Sequence, residues 1–186
     1  ITTDGLTVAG NVSVDGGTIK LDGNYPTGTS NLGFGDNALC SITSSARFNT
    51  AIGNNALCSH TSNDKNTAVG NQALRENTGS CNTAVGHDAS IQNTTGNCNT
   101  AVGVSALNQT TTASNNTAVG FQSLACNTTG ADNTALGKSA LSSNTTADNN
   151  TAVGFCSLYA NTTGVINTAV GKESLKLNTT GSRNIA

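Results

Sequence analysis

Methionine and tryptophan are absent from this 186-residue chain, proline occurs once, and the aromatics are limited to four phenylalanines and two tyrosines. A thick globular core needs bulky apolar side chains, so this composition excludes an ordinary compact domain. Charge is also scarce, with eight Lys and Arg against ten Asp and Glu and a net charge of −2. The basic residues, among them Arg47, Lys65, Arg75, Lys138, Lys172 and Lys176, are scattered. They form no stripe that could neutralise a phosphate backbone, which argues against nucleic acid as a partner. No apolar run approaches the ~20 residues of a membrane helix, and no charged-then-apolar signal segment opens the chain, so membrane insertion is not expected. The sequence starts Ile1-Thr2-Thr3 without methionine, which reads as an excerpt of a longer protein.

Catalytic groupings are missing as well. His60 and His87 are the only histidines and occupy different phases of the repeat described below. The acids, among them Asp64, Glu76, Asp88, Asp132, Asp148 and Glu173, supply no facing carboxylate pair of the kind glycoside hydrolysis needs. The six cysteines contain no Cys-x-x-Cys spacing and do not suggest zinc. No catalytic, cofactor-binding or metal-binding residue is expected, and the chain does not read as an enzyme.

What is present is one pentapeptide, Asn-Thr-Ala-Val-Gly, starting at Asn66 and returning from Asn82, Asn99, Asn116, Asn150 and Asn167. Looser copies start at Asn31, Asn49 and Asn133, so a glycine recurs at 35, 53, 70, 86, 103, 120, 137, 154 and 171. A fixed period near 17 indicates stacked units that cannot bury their apolar faces alone. Disorder is excluded because it needs no Val and Leu at fixed phase. The expected fold is all-β, a parallel β-roll or β-solenoid of about nine 17-residue turns over residues 31–186. Each turn reads as a Thr-Ala-Val strand, a glycine corner, a second extended stretch centred on Ala-Leu, and a polar return such as Asn93-Thr94-Thr95-Gly96. Residues 1–30 lie outside the period and read as a short β-hairpin leader, with turns at Asp15-Gly16-Gly17 and Asp22-Gly23-Asn24.

Stacking at the strand spacing of ~4.8 Å turns equivalent residues into ladders. Two are expected to form the core. One is Ile52, Val69, Val85, Val102, Val119, Leu136, Val153 and Val170; the other is Leu39, Leu57, Leu74, Leu107, Leu124, Leu141, Leu158 and Leu175, broken at Ser90 beside Ile91. The Asn preceding each Thr forms a third ladder of stacked amides. With Val inward, period-two alternation turns Ala51, Ala68, Ala84, Ala101, Ala118, Ala135, Ala152 and Ala169 outward. That alanine stripe is the expected subunit interface, because it lets another backbone approach closely. Cys40 and Cys58 share a phase one turn apart, as do Cys81 and Cys98, while Cys126 and Cys156 have no same-phase neighbour. Parallel side-chain vectors favour reduced thiols over bridges there.

The residue after each glycine becomes apolar or aromatic toward the C-terminal end, with Phe121 and Phe155 flanking Lys138 and Tyr159 farther along the same repeat as Phe155. These four residues are a candidate contact surface for a host cell-surface glycan or another fibre protein. The competing reading is that the rings fill a groove between protomers.

The run Asn167-Thr168-Ala169-Val170-Gly171-Lys172-Glu173-Ser174-Leu175 resembles the head repeat of YadA-like trimeric autotransporter adhesins. The Asn-Thr-Ala-Val-Gly-x-x-Ala-Leu … Asn-Thr-Thr-Gly variety, preceded by Gly10 to Ile19, is more similar to bacteriophage tail-fibre and other virion-appendage proteins. The resemblance implies a left-handed roll packed as a homotrimer about a threefold axis. It further implies a structural or adhesive segment of a fibre that supports host-surface attachment, on the virion surface or, as the alternative, in an adhesin head on a bacterial cell surface. A period of 17 departs from the adhesin heads, whose repeats are usually shorter. A second class of function is a monomeric ligand binder, in particular an ice-binding solenoid presenting the threonines 50, 67, 83, 100, 117, 134, 151 and 168.

Overall fold

The computed structural model describes residues 30–59 and 61–186. The expected leader hairpin therefore lies outside the described residues, as does His60. Nine three-residue strands follow one another: β1 Leu32–Phe34, β2 Thr50–Ile52, β3 Thr67–Val69, β4 Thr83–Val85, β5 Thr100–Val102, β6 Thr117–Val119, β7 Thr134–Leu136, β8 Thr151–Val153 and β9 Thr168–Val170. They form one parallel sheet in sequence order. Equivalent positions of the repeat pair at every step, for example Ala101 with Ala118 and Val102 with Val119. The chain is a β-solenoid, as its period implies, and every turn advances the sheet by one strand.

The second extended stretch is not a strand. After the glycine, Ala73 N–H donates to the Gly70 carbonyl and Ala106 N–H to the Gly103 carbonyl, which closes tight turns. Gln72 and Leu74 both hold a positive φ, of 58° and 50°, and the equivalent residues of the other turns do the same. Alternating left-handed residues are incompatible with both a pleated strand and a right-handed helix. A left-handed leucine costs roughly 1–2 kcal/mol. Burying its side chain contributes about 1.5–3 kcal/mol, and its N–H bonds across to the next turn, as Leu124 does to the Ala140 carbonyl at 3.0 Å. Burial and cross-turn bonding outweigh the backbone strain.

The leucine ladder is buried as expected, with Leu39, Leu57, Leu74, Leu107, Leu124, Leu141 and Leu158 fully enclosed. The valine ladder is not. Opposite the leucines stand the alanines at 51, 68, 84, 101, 118, 135, 152 and 169, all with no exposed surface, and a second small column running from Ala38 through Ala56, Ala73, Ala89 and Ala106 to Ala140. The strand parity is thus the reverse of the expected one. The interior is too narrow for two large side chains: at Gly33, the β1 counterpart of the alanines, an added Cβ would already lie 3.6 Å from Leu39 Cδ1. Leucine reaches across the coil and touches the opposite strand, so only alanine fits there and valine must turn outward.

Asparagine closes the walls. The backbone N–H of each ladder asparagine donates to Oδ1 of its counterpart one turn earlier, at 2.9–3.0 Å in every step from Asn31 to Asn184. Each Nδ2 in turn donates to a return-corner carbonyl, as Asn116 does to Gly130 at 2.9 Å. A second ladder that the sequence reading did not separate runs through Asn127, Asn144, Asn161 and Asn178, joined Nδ2 to Oδ1. Beside it the hydroxyls of Thr94, Thr111 and Thr128 each donate to the carbonyl one turn on. Glycine at the first corner is required twice over: Gly120 has φ +133°, and a Cβ on it would lie 2.6 Å from the Gly137 carbonyl.

Leu124→Ala should cost ~2–5 kcal/mol in reversible denaturant unfolding, since the rigid coil cannot close the cavity. Ala118→Leu should cost a further ~1–3 kcal/mol by overpacking the same layer from the opposite side. An Ala118→Leu chain as stable as the parent would contradict the inward alanine.

Candidate functional site

The reversed parity decides which surface the molecule offers. Each strand points two side chains outward, Leu32 and Phe34 on β1, then a threonine with Ile52, Val69, Val85, Val102, Val119, Leu136, Val153 or Val170. Ile52, Val85, Leu136 and Val170 are exposed, Val170 to 60%, while Val69, Val102, Val119 and Val153 are half-buried by their neighbours alone. No charged residue interrupts these two columns over nine strands. Monomeric proteins rarely leave a contiguous apolar stripe of that kind uncovered. The eight alanines nominated from sequence as a subunit interface are sealed inside the protomer and cannot contact a partner. The available face is the opposite one, of Thr and Val.

At the corner beyond each strand, Phe121, Lys138 and Phe155 stack on successive turns. The Lys138 ammonium sits 5.8 Å from both ring centroids, a symmetric pair of cation–π contacts. Both rings are exposed, as is Tyr159. The four candidate surface residues thus lie on adjoining turns and face outward. Lys138 makes no ion pair among the described residues.

Elsewhere some of the charges are paired locally. Lys176 Nζ donates to Glu173 Oε1 at 3.0 Å; that bond and the attraction behind it hold the Glu173 carboxyl below its usual value and raise Lys176 above its own. Glu173 is exposed and Lys176 partly so, and solvent screens the pair. His87 Nδ1 lies 3.1 Å from Asp88 Oδ2 on the surface. Among the described residues no three His, Cys, Asp or Glu side chains converge as metal ligands, and no helix is long and apolar enough to cross a membrane.

Cysteine gives one correction. Cys40 and Cys58 are joined by a disulfide with Cα atoms 5.0 Å apart, where reduced thiols were expected. One turn of the solenoid falls inside the Cα window a disulfide tolerates, and the side chains turn toward each other enough to close it. Cys81 and Cys98 are free and exposed, and Cys126 and Cys156 are free and half-buried.

Replacing Phe121 and Phe155 together by serine should leave the far-ultraviolet circular dichroism unchanged and cost ~1–2 kcal/mol, the worth of two exposed cation–π contacts. A loss as large as that of Leu124→Ala would instead mean that the rings are covered in the assembled protein. Comparison with protein-family models, with curated proteins and with solved structures finds no match to this chain.

Proposed function

We propose that the chain is a structural and adhesive segment of a homotrimeric fibre, of the tail-fibre or virion-appendage type, that supports attachment to a host surface. The observation that carries this reading is the uncharged Thr-Val face, which runs ~38 Å along the axis at ~4.8 Å per strand. A second copy of the same chain suits it, because every copy presents the same groups at the same spacing and three copies can match ladder for ladder. The trimer interface is assigned here to this face and no longer to the alanines. A solenoid that is thin by itself gains from such packing, since small cores bury too little surface. Phe121, Lys138, Phe155 and Tyr159 are then the surface offered to a host glycan or another fibre protein. The role is mechanical and adhesive, with no catalytic step, and the site of action is the virion surface. A bacterial adhesin head on the cell surface would use the same construction.

One observation favours a second reading. Threonine and valine point outward together on an in-register sheet, so hydroxyls and methyls form a regular lattice of the sort that could order water as ice. This ligand-binding reading requires a monomer.

Light scattering after size exclusion separates the two. The expected mass is three times the 18.5 kDa of one chain. Val119→Arg, which places a charge in the middle of the face, should lower the mass to that of one chain while the circular dichroism of the solenoid persists. A parent protein that runs at the mass of one chain would end the trimer reading, and thermal hysteresis in an ice-growth assay would then support the alternative.

A further inference from the structure

The solenoid is not equally sound along its length. Among the described residues four buried side-chain atoms have no hydrogen-bond partner, and three of them, Asp88 Oδ1, Ser90 Oγ and Asn93 Oδ1, belong to a single turn. The fourth, Thr110 Oγ1, lies one turn on, where threonine replaces the next asparagine of the second ladder. In the turn of Asp88 and Asn93 the core leucine is replaced by Ser90, which is buried in its place. That turn therefore lacks its core leucine, with Ile91 buried beside the position but outside the core cluster, and its amide ladder joins Asn77 at 2.6 Å but breaks toward Thr110. In a stack whose stability is a sum over units and their contacts, a defective unit opens first.

Cys81 and Cys98 stand at the two ends of this turn. Each directly precedes a ladder asparagine, and the Asn99 N–H bonds to Asn82 Oδ1 at 2.9 Å, so the two cysteines are held in register one turn apart. Their backbones are alike, with φ 62° and 58°, and both thiols are exposed. Their separation is then one strand spacing, ~4.8 Å, inside the window a disulfide spans. Cys40–Cys58 shows that an in-register pair in this coil does close, at a Cα separation of 5.0 Å. Cys126 and Cys156 occupy different positions in their turns and have no such neighbour.

We propose that Cys81 and Cys98 form a reversible inter-turn disulfide that staples the weakest turn of the solenoid under oxidising conditions and releases it under reducing ones. The oxidant is a small-molecule disulfide of the glutathione class. One cysteine thiolate attacks it and displaces one thiolate, forming a mixed disulfide; the second cysteine thiolate then attacks the protein-bound sulfur and displaces the other. Two protein S–H protons pass to solvent, the two released thiolates take up two, and the protein dithiol is oxidised as the small disulfide is reduced. The cross-link closes a loop around residues 82–97 and restricts the opened state of that turn.

The test equilibrates the 186-residue chain with oxidised or with reduced glutathione, maps disulfides by mass spectrometry without reduction, and follows amide hydrogen exchange peptide by peptide. The expected result is a Cys81–Cys98 link within one chain after oxidation, with exchange across 82–97 slowed several-fold and exchange across 120–170 unchanged. Cys98→Ser, which keeps Cys40–Cys58, should remove the redox dependence of the 82–97 segment. The proposal is overturned if both thiols remain alkylatable after oxidation, if Cys81 links to a second chain, or if the link forms without slowing exchange in that segment.

Discussion

The structure depends on an asparagine side chain standing in for backbone. At the start of every strand from β2 on, the N–H of the ladder asparagine donates to the Oδ1 of the asparagine one turn earlier and not to a backbone carbonyl, as Asn133 does to Asn116 at 3.0 Å. The same amide's Nδ2 reaches across the coil to a return-corner carbonyl, as Asn133 does to Ala147 at 2.8 Å, and shares that carbonyl with an asparagine of the second ladder, Asn144, at 3.0 Å. A buried backbone group without a partner costs about 1–3 kcal/mol; each asparagine Oδ1 satisfies one backbone N–H outright, and its Nδ2 supplies one of the two donors at the return-corner carbonyl. Asp would lose the Nδ2 donor and Ser the reach. This is why Asn, like the corner glycine, is kept in every copy of the repeat.

From that constraint the rest of the turn follows. The asparagines fix the width of the coil, the width admits one large side chain per layer, and leucine takes it. The facing strand position is left with room for a methyl group. Because strand side chains alternate, an inward alanine forces Thr and Val outward together, and the uncharged face is a by-product of the interior geometry. Function, in the proposed reading, uses a surface that the core arithmetic made unavoidable.

The sequence carried the period, the parallel in-register sheet, the glycine corner and the leucine core, because each depends on one residue type recurring at one phase. Whether Ala or Val faced inward was not legible from alternation, which gives the parity and leaves the sign open. The sign is set by which residue fills the interior, and leucine does so from a left-handed backbone, as at Leu124 with φ 50°, that no local propensity would assign to it. The same backbone explains why Ala-Leu forms turns instead of a second strand. The second asparagine ladder was visible in the recurring Asn-Thr-Thr-Gly, but its meaning needed the return corner in three dimensions. Cys40–Cys58 was visible as a same-phase pair, and its closure depended on side-chain direction. Phe121, Lys138 and Phe155 were found from phase alone, since the residue after a glycine corner points away from the coil.

The most direct measurement of this account is native-state hydrogen exchange at the ladder asparagine amides, Asn99, Asn116, Asn133 and Asn150. Their N–H groups are bonded to side chains, not to backbone carbonyls. The account requires them to exchange as slowly as the backbone-bonded amides of Thr134 and Gly137 in the same sheet. Exchange at the rate of exposed loop amides, with Thr134 and Gly137 still protected, would contradict it.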